Sequence, residues 1–449
     1  MFQNDERLTE LVLEHCRRRL ALAELPIGFG GTRPPDADAL DGLLCEEGND
    51  ASHVLDVFVN ELSSSVLASD SARYLAFIPA APTKASLLFD MIVSCSSFPG
   101  TSWFEAAGAV MAENQALRLL ADLAGLPPEA GGCFVSGGSG ANLSGLVVAR
   151  ETQARRRGSD PRARARVAIS AEAHASVGLV LRVIGVETLE IPTEDHRLTG
   201  HGLRAALDAD PQADDVFAVV ATAGTTNAGI IDDLAGVADV AGERDLWLHV
   251  DGAYGGAALL APSARDRFRG IERADSYVVD PHKWLFAPYD CAAVLYREPE
   301  LAKMVLAQHA SYLDVFHTDA DDEWNPGDYA FHLTRRTRGL PFWFSLAVHG
   351  IGAYREAVEK VLATTRACAG LIERAPQLEL LRDPELSVVL FRRNGWGEDD
   401  YGAWSSRLLA EQRALVTPTR WEGEPVARLA FLHPETTVAL VEEILAATA

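Results

Sequence analysis

The sequence predicts an α/β fold with a mainly parallel sheet wrapped by helices, followed by a small α+β domain at the C-terminus. From residue 131 onward, short apolar runs alternate with helical patterns, the order expected of parallel strands joined by crossover helices. Polar clusters stand directly after several of these runs, at the strand ends where such sheets bind ligands. The 449 residues, of which 48% are hydrophobic and 23% charged, suffice for one large domain and smaller ones.

The elements follow from the pattern of each segment. The helical stretches "DERLTELVLEHCRRRLALAEL" and "ASHVLDVFVNELSSSVL" flank a break rich in Gly and Pro at 27–35, and we predict a helical arm for dimerisation over 1–85. The large domain is predicted over 86–341, with strands in "GGCFVSGG", "VAISAEA", "VFAVVATAGTT", "LWLHVDGA", "SYVVDPHKW" and "CAAVLY". A long helical stretch and the alternating segments "LSVVLFRR", "ALVTPTRW" and "ARLAFLHP" predict the small domain over 342–449.

The overall charge restricts the partners of the protein. Against 40 Lys and Arg stand 64 Asp and Glu, a formal net charge of -24, so no domain-wide basic field is available to hold nucleic acid or an anionic membrane. No apolar run reaches membrane-spanning length, and "MFQNDERLTE" lacks the plan of a secretion signal. Six cysteines without CxxC or CxxH spacing argue against a disulfide framework and against a metal site. We expect a cytoplasmic protein whose partners are small molecules or proteins.

Lys283 stands at the end of a strand-like run, in "SYVVDPHKWLFAPYDCAAVLY". Between the strand and the aromatic residues its ammonium group is expected in a pocket, where burial and cationic neighbours lower the pKa of a lysine. The neutral amine is a nucleophile that can form a Schiff base with an aldehyde. A lysine at a strand end is also often structural or solvated, so the interpretation depends on the residues that accompany it.

Asp251 follows another apolar strand, in "LHVDGAYGG", ahead of small residues that let a flat group approach. A carboxylate in a pocket of low dielectric constant can hold a ring nitrogen in its protonated form. The alternative is an Asp that caps the next helix.

Three further strand ends carry groups that suit a phosphorylated ring. "VSGGSGANLSG" opens a helix, so the backbone amides of Gly138 and Ser139 and the Ser139 hydroxyl could bind a phosphate. His174 in "AEAHASV" could stack on a planar ring, and Thr225 and Thr226 in "ATAGTTNAG" offer hydroxyls for a phenolic oxygen. Each feature alone has an ordinary structural explanation, namely a Gly and Ser turn, a hydrogen-bonded structural His, or capping threonines.

In combination, order and spacing, these residues resemble the group II pyridoxal phosphate (PLP)-dependent decarboxylases, the family of aromatic-L-amino-acid, histidine and glutamate decarboxylases. "DPHKW" resembles the family's Asn-Pro-His-Lys-Trp cofactor motif, "HVDGAYGG" its His-Val-Asp-Ala-Ala-Tyr, and "AHASV" its Ala-His-Ser-Ser. The resemblance runs from about residue 72 to the C-terminus. It implies fold type I of the PLP-dependent transferases, the aspartate aminotransferase-like fold, with a seven-stranded, mainly parallel sheet and helices on both faces.

The resemblance also implies a role for each residue toward PLP. Lys283 would form the Schiff base with the cofactor aldehyde, and His174, near the substrate carboxylate, would stack on the ring. Asp280 departs from the family's Asn, and it adds a negative charge near the cofactor or caps the turn. The other residues implied to bind the cofactor are Asp251 at the pyridinium nitrogen, Ala253 beneath the ring, Thr226 at the 3-oxygen, and Gly138, Ser139 and His282 at the phosphate.

The reaction implied is decarboxylation of an L-amino acid to the amine and carbon dioxide, with the protonated pyridine as the electron sink. In the family, a tyrosine on a mobile loop reaches across a homodimer interface and returns a proton to the α-carbon. Tyr329 in "GDYAFHL" is the best match, on a lid predicted near 314–334 and ahead of an Arg-Arg-x-Arg run. The resemblance thus implies catalytic roles for Lys283, His174 and Tyr329, in a homodimer with shared active sites.

The segment "AFIPAAP" resembles the family's Ala-Tyr-Phe-Pro-Thr substrate-pocket segment, with two hydroxyl-bearing residues replaced by apolar ones. An apolar pocket disfavours glutamate or diaminobutyrate, whose charged ends would need partners. We therefore predict an aromatic or otherwise hydrophobic amino acid as the substrate. The predicted substrate-pocket residues are Phe77, Ile78, Pro79 and Ala80, with added aromatic surface from Phe98 and Trp103.

Three other functions fit the same sequence. An aldehyde synthase would couple decarboxylation to oxidative deamination when the loop tyrosine is lost, and Tyr329 argues against it. An aminotransferase would release a keto acid without carbon dioxide, and "DPHKW" together with the lid disfavours it. A non-catalytic PLP-binding subunit should have lost Lys283, Asp251 or His174, and none is lost.

Overall fold

The computed structural model describes residues 5–28, 36–79, 81–161, 164–311 and 323–448. These residues form two compact units, each built from separate parts of the chain. The first unit comprises the described residues of Met1–Pro79, Ala367–Arg382 and Val389–Ala449, and the second those of Ala80–Arg366 and Asp383–Val388.

The two units differ from the three predicted segments, which are divided after residues 85 and 341. N-terminal residues share a unit with C-terminal ones because backbone hydrogen bonds join them. The Leu75 amide donates to the Leu415 carbonyl at 2.8 Å, and the Ala430 amide donates to the Leu75 carbonyl at 2.9 Å. Pairing over such a distance in sequence leaves no local pattern from which it could be predicted.

Helices and strands alternate through the middle of the chain, and no helix within the described ranges is both long and apolar enough to cross a membrane. The helices are α1 (Glu6–Ala21), α2 (Ala51–Val57), α3 (Lys84–Ser96), α4 (Trp103–Leu123), α5 (Gly138–Arg156), α6 (Ala175–Val183), α7 (Gly200–Ala209), α8 (Leu234–Glu243), α9 (Pro262–Arg265), α10 (Pro299–Leu306), α11 (Leu340–Arg374), α12 (Glu398–Ala410) and α13 (Val438–Ala446). The strands are β1 (Gly131–Val135), β2 (Arg166–Ser170), β3 (Glu187–Ile191), β4 (Val216–Thr222), β5 (Trp247–Asp251), β6 (Ser276–Val279), β7 (Ala292–Tyr296), β8 (Leu378–Leu380), β9 (Val388–Arg393), β10 (Thr419–Trp421) and β11 (Glu424–Ala430).

The second unit is built on a seven-stranded sheet with the strand order β1-β7-β6-β5-β4-β2-β3. Strands β2 to β6 pair in parallel, whereas β7 runs antiparallel to both β1 and β6. The predicted α/β fold with a mainly parallel seven-stranded sheet is confirmed.

The central strands are apolar because a parallel sheet is covered by helices and buried on both faces. All seven residues of β4 are buried, and α5 packs against β4, β5, β6 and β7. The pairing register aligns the strand ends, since Thr222 of β4 lies opposite Asp251 of β5, which in turn lies opposite Val278 of β6. The residues that follow these strands therefore meet at one edge of the sheet.

The first unit carries a four-stranded antiparallel sheet with the order β10-β11-β9-β8. It also contains α1, α2, α12 and α13, and a small hydrophobic cluster formed by Ile27, Ala76 and Leu415. The predicted small α+β domain is confirmed, and N-terminal residues add to it.

Candidate active site

A cavity of about 380 Å³ lies at the carboxyl ends of the parallel strands, lined entirely by residues of the second unit. Parallel sheets bind ligands at this edge, and the volume suits a small molecule. All predicted cofactor-binding residues line it, namely Gly138, Ser139, His174, Thr226, Asp251, Ala253, His282 and Lys283. Further lining side chains come from Ser136, Asn142, Ser176, Thr222, Tyr254, Asp280, Tyr289 and Asp290.

Asp251, the last residue of β5, is buried and held by two hydrogen bonds. Its Oδ1 accepts from the Ala253 amide at 3.1 Å, and its Oδ2 accepts from Nδ2 of Asn142 at 3.0 Å. Asn142 belongs to the second turn of α5, so a helix and a strand together fix the orientation of the carboxylate. A carboxylate fixed in this way can pair with a protonated nitrogen in the cavity without first being ordered.

Behind Asn142 lies a buried histidine that the sequence analysis did not single out. Nε2 of His249 lies 2.9 Å from Oδ1 of Asn142, and Nδ1 lies 2.7 Å from the Ser276 hydroxyl. Burial lowers the pKa of His249 to about 4, so the ring is neutral at pH 7. Because Oδ1 of Asn142 only accepts, Nε2 carries the hydrogen and Nδ1 accepts from Ser276. The hydrogen bonds thus run in one direction from Ser276 to Asp251.

Two sequence signals could have revealed this network. His249 stands two positions before Asp251, so both side chains project from the same face of the strand. Asn142 stands three positions after Ser139, one helical turn along the face that begins at the cavity.

Lys283 is paired with a carboxylate, since its Nζ lies 3.0 Å from Oδ2 of Asp280. Burial by itself would lower the pKa of Lys283, but the carboxylates of Asp280 and Asp251 outweigh it and raise the pKa above its ordinary value. The expectation of a lowered pKa is therefore corrected, because the charged neighbours are anionic rather than cationic. Lys283 is an ammonium group here, and it must lose a proton before it can act as a nucleophile.

His282 faces the same carboxylate from the adjacent position. Its Nδ1 accepts from the Cys291 amide at 3.0 Å, which leaves the hydrogen of the neutral ring on Nε2, 3.7 Å from Oδ2 of Asp280. Burial lowers the pKa of His282, so the ring is mostly neutral at pH 7. A neutral imidazole can donate one hydrogen bond to an anion in the cavity.

The N-terminus of α5 also faces the cavity. Gly137 occupies the N-cap without a side-chain cap, and the Gly138 amide donates to Oδ2 of Asp280 at 3.2 Å. A Cβ at Gly138 would lie 2.9 Å from that oxygen, so a larger residue would crowd the carboxylate. A helix N-terminus favours an anion through its free amides and its dipole, and in this structure the anion is Asp280.

His174 caps α6 at the cavity. Its Nδ1 accepts from the Ser176 amide at 3.2 Å and lies 2.8 Å from the Ser176 hydroxyl. In the neutral ring the hydrogen therefore sits on Nε2. His174 combines a structural capping role with a place in the cavity lining.

Two buried polar atoms of the lining have no hydrogen-bond partner among the described residues, the Thr222 hydroxyl and Oδ1 of Asp280. An unpartnered buried polar group costs about 1–3 kcal/mol, so these atoms indicate a polar ligand.

The lining offers an amine for the PLP aldehyde, a carboxylate for the ring nitrogen, hydroxyls for the ring oxygen, and amides with a histidine N–H for the phosphate. The residues fit PLP, with one added negative charge from Asp280.

Tyr329 does not line the cavity. Its side chain is 2% exposed, and its ring stacks on Trp324 with the ring centroids 4.0 Å apart. It belongs to the main hydrophobic core together with Cys133 and Tyr296, and burial raises the pKa of its hydroxyl. The predicted placement of Tyr329 on a lid is corrected, because apolar neighbours hold the ring in the core.

The predicted lid near 314–334 is described only from residue 323, and 314–322 lie outside the described residues. The described part packs against the second unit. The Trp324 Nε1 donates to the Gly132 carbonyl at 3.1 Å, and the Phe331 amide donates to the Ser144 hydroxyl at 3.2 Å. These contacts correct the lid prediction for residues 323–334.

Two tyrosines that were not predicted line the cavity, Tyr254 and Tyr289. Tyr254 is buried, whereas Tyr289 is 55% exposed. The Tyr289 ring lies 5.1 Å from the His282 ring between centroids, and its hydroxyl is close enough to Lys283 to affect the lysine pKa. Tyr289 is thus an exposed tyrosine beside the lysine.

Phe98 and Trp103 belong to the second unit but do not line the cavity. Phe98 is 41% exposed, and the Trp103 amide donates to Oδ1 of Asn325 at 2.9 Å at the start of α4. The role of both residues in substrate binding stays a prediction.

Phe77, Ile78 and Pro79 belong to the first unit, where Arg428 donates to the Phe77 carbonyl at 3.0 Å. Ala80 lies outside the described residues. The role of this segment in substrate binding stays a prediction.

Comparison with known proteins identifies the family. The model described as "Pyridoxal-dependent decarboxylase conserved domain" matches residues 36–394. An aromatic-L-amino-acid decarboxylase of Bacillus atrophaeus is 31% identical, over 99% of this chain and 94% of the relative. An L-2,4-diaminobutyrate decarboxylase of Rhizobium meliloti (strain 1021) is 32% identical, over 80% of this chain and 74% of the relative. The crystal structure of Oryza sativa TDC with PLP and tryptamine matches with a TM-score of 0.91 and 26% identity, over 100% of this chain and 99% of that chain.

These matches extend over nearly the whole chain and include the strands and helices that form the cavity. They confirm the predicted resemblance and the predicted cofactor, PLP. The chain belongs to the pyridoxal-dependent decarboxylase family, whose members are PLP-dependent carboxy-lyases.

Proposed function

We propose that this protein decarboxylates an aromatic or otherwise hydrophobic L-amino acid to the amine and carbon dioxide. The observation that carries the proposal is the meeting of Lys283, Asp251 and His174 at one cavity, where each stands at or after the end of a different strand. The three side chains provide an amine, a fixed carboxylate and an imidazole, which are the groups that a PLP-dependent decarboxylation requires.

Each predicted residue keeps its proposed role toward the cofactor. The residues that would hold PLP are Lys283 at the aldehyde, Asp251 at the ring nitrogen, Ala253 and His174 at the ring faces, Thr226 at the 3-oxygen, and Gly138, Ser139 and His282 at the phosphate.

When bound, PLP supplies an aldehyde that bonds to amines and a conjugated ring that accepts electrons from bonds at the α-carbon. Lys283 must first give up its proton to solvent, because the Asp280 carboxylate at 3.0 Å favours the ammonium form. The Asp251 carboxylate, fixed by Asn142 and the Ala253 amide, would pair with a protonated ring nitrogen, which favours electron flow into the ring. The Nε2 hydrogen of His174 can orient the substrate carboxylate.

A proton must return to the α-carbon after carbon dioxide leaves. With Tyr329 in the core, the candidate donors among the described lining residues are Lys283, His174 and Tyr289. We assign the step to Tyr289, because it is exposed at the cavity beside Lys283.

The charges of the cavity support a substrate without an acidic side chain. Asp251, Asp280 and Asp290 line the cavity together with a single lysine, so a second carboxylate on the substrate would meet like charges. Similarity over 99% of this chain to a protein named aromatic-L-amino-acid decarboxylase supports an aromatic side chain. Similarity to an L-2,4-diaminobutyrate decarboxylase makes a cationic side chain the competitor.

A substrate screen tests the proposal. The purified protein with PLP is offered each proteinogenic amino acid and diaminobutyrate, and carbon dioxide, amine, aldehyde and peroxide are followed by mass spectrometry and coupled assays. We expect equal amounts of amine and carbon dioxide from aromatic amino acids, and neither from the Lys283→Ala control, which should also lose the yellow absorption of bound PLP. Turnover of diaminobutyrate alone would overturn the substrate class.

The alternative function is a decarboxylation-dependent aldehyde synthase. The burial of Tyr329 favours this alternative, because the argument against it depended on a tyrosine that reaches the site from a lid. Oxygen consumption with equal amounts of aldehyde, ammonia, carbon dioxide and peroxide would identify the oxidative reaction. A non-catalytic PLP-binding protein would show the yellow absorption without any product.

A homodimer and a cytoplasmic location are part of the proposal. Exposed apolar side chains on α3 and α4 support the dimer, because their burial in an interface would be favourable. They are Leu88, Ile92, Phe104 and Met111, exposed by 49%, 51%, 67% and 61%.

A further inference from the structure

Asp280 occupies the end of the cavity where the phosphate of PLP is expected. Its side chain is 1% exposed, and one oxygen, Oδ2, makes three polar contacts. These are the Gly138 amide at 3.2 Å, Nζ of Lys283 at 3.0 Å and Nε2 of His282 at 3.7 Å. The second oxygen, Oδ1, is buried without a partner among the described residues. The carboxylate thus acts as an internal anion at the N-terminus of α5.

The cavity has little positive charge to offset a second anion. Its described lining contains the carboxylates of Asp251, Asp280 and Asp290, the ammonium of Lys283, and no arginine. Burial lowers the pKa of His282, which therefore adds an N–H but little charge. Further ionisable groups that interact with these side chains are His249 at Asp251, Arg338 and Asp90 at Asp290, and Tyr277, Tyr289 and Cys291. A phosphate ester carries close to two negative charges above a pH of about 6.

We propose that Asp280 controls cofactor binding: its carboxylate occupies the anion site of the cofactor-free chain, and one proton is taken up from solvent and shared between this carboxylate and the phosphate when PLP binds beside it. This inference rests on the proposed placement of the phosphate at Gly138, Ser139 and His282. The shared proton removes one of the like charges, and it forms a hydrogen bond between a carboxylate oxygen and a phosphate oxygen. The sequence departure from Asn to Asp thereby gives PLP binding a dependence on pH.

Linkage fixes the direction of that dependence. When binding takes up a proton, the affinity falls as the pH rises, by about tenfold in Kd for each pH unit and each proton. PLP should therefore bind less tightly at pH 8.5 than at pH 7.5. An Asn at position 280 can donate to the phosphate without a proton from solvent, so its contribution should not depend on pH.

Asp280→Asn is the test variant and Asp290→Asn is the matched control. Asp290 also lines the cavity, but its carboxylate pairs with Arg338 rather than with the N-terminus of α5. PLP is removed from the full-length protein, and its Kd is measured from the absorption of the bound cofactor between pH 7 and 9. Calorimetry in two buffers with different ionisation enthalpies counts the protons taken up. Pyridoxal, which lacks the phosphate, is titrated in parallel.

We expect Asp280→Asn to bind PLP at least about tenfold more tightly than the wild type at pH 8.5, with about one proton fewer taken up. Pyridoxal should show little change, and Asp290→Asn should tighten PLP binding less than Asp280→Asn and take up as many protons as the wild type. Equal Kd values and equal proton counts in the wild type and Asp280→Asn would overturn the proposal. An equal gain for PLP and pyridoxal would also overturn it, because Asp280 would then act only through Lys283.

Two further results would not bear on the role of Asp280. Absence of any PLP-dependent absorption in the wild type would contradict the proposed function rather than the role of Asp280. If Asp280→Asn does not fold by circular dichroism, Asp280→Ser removes the same charge with a smaller side chain, and the same expectations apply to it.

Discussion

His249 is a residue remote from the cavity that nevertheless orients a cavity group. It reaches Asp251 only through Asn142, and it can donate to Asn142 because Nδ1 accepts from Ser276. A charged imidazolium would donate from both nitrogens and would lie in a buried site without a direct carboxylate partner. Its neutral form is therefore part of the native structure.

The neutral state of His249 predicts a pH-dependent stability. The pKa of His249 is about 4 in the folded protein and 6.5 ordinarily. Below pH 6.5 the unfolded chain therefore binds a proton that the folded chain does not bind. The stabilisation is complete above pH 6.5 and is lost as the pH falls toward 4. Between pH 7.5 and 5 the free energy of unfolding should fall by about 2 kcal/mol more in the wild type than in His249→Gln.

Chemical denaturation at the two pH values measures this difference. The exposed His201 provides the control, because His201→Gln should leave the pH dependence of the wild type unchanged. The same pH dependence in His249→Gln and the wild type would show that His249 takes up its proton over the same pH range in the folded and unfolded protein.

The two tyrosines, Tyr289 and Tyr329, give a second test at the residue scale. Tyr289→Phe should lower the rate of amine formation by about 10²-fold, the range for loss of a general acid, and shift products toward aldehyde. Tyr329→Phe should keep amine formation near the wild-type rate, because the ring lies in the core. Product analysis by mass spectrometry distinguishes them, with the absorption of bound PLP checked in both. Loss of amine in Tyr329→Phe alone would return the proton transfer to Tyr329.

At the scale of elements, α4 is joined to the segment before α11 by a buried ion pair. Glu113 accepts from Arg335 at 3.0 and 2.8 Å, and its Oε1 also accepts from the Gly339 amide at 2.8 Å. Arg335 further donates to the Gly100 carbonyl at 2.6 Å. The Arg-Arg-x-Arg run thus begins with a residue that holds elements of the second unit together.

Removal of one partner of this pair should be strongly destabilising. Glu113→Ala leaves the Arg335 guanidinium buried without its carboxylate, and the free energy of unfolding should fall by about 3–5 kcal/mol. The exposed pair of Arg204 and Glu243 is the control, and Glu243→Ala should lower the free energy of unfolding much less, because solvent screens this pair. Denaturant titration measures both, and similar small losses would show that solvent reaches Arg335.

At the scale of the whole molecule, the exposed apolar residues of α3 and α4 test the proposed homodimer. Ile92→Arg replaces one of these exposed apolar side chains by a charged one, so an interface that buries it should open, and the protein should become monomeric. Val183→Arg is the control, since Val183 is 67% exposed on α6, a different helix. Size-exclusion chromatography with light scattering gives the mass of each protein. A dimer that survives Ile92→Arg would place the interface elsewhere.

The sequence predicted the cavity well where chemistry follows directly from a strand end. Apolar runs are recognisable in the local sequence, and beside them stand Asp251, Lys283, His174 and the N-terminus of α5. Parallel pairing brings the ends of these strands together. The prediction from sequence failed where the burial of a side chain decides its role. A tyrosine in acidic, Pro- and Gly-containing text suggests a lid, and only the packing of Tyr329 on Trp324 shows a core residue.

By itself the sequence determined the fold class and the family, because periodicity and motif spacing are local properties of the chain, and it predicted residues that the structure brings together at one cavity. The tertiary structure decided which charges face one another. The pairing of Asp280 with Lys283 and Gly138 reversed the expected pKa shift of the lysine, and the path from His249 to Asp251 passes through a helix. Electrostatic interactions depend on distances between residues far apart in sequence, and only the folded chain sets those distances.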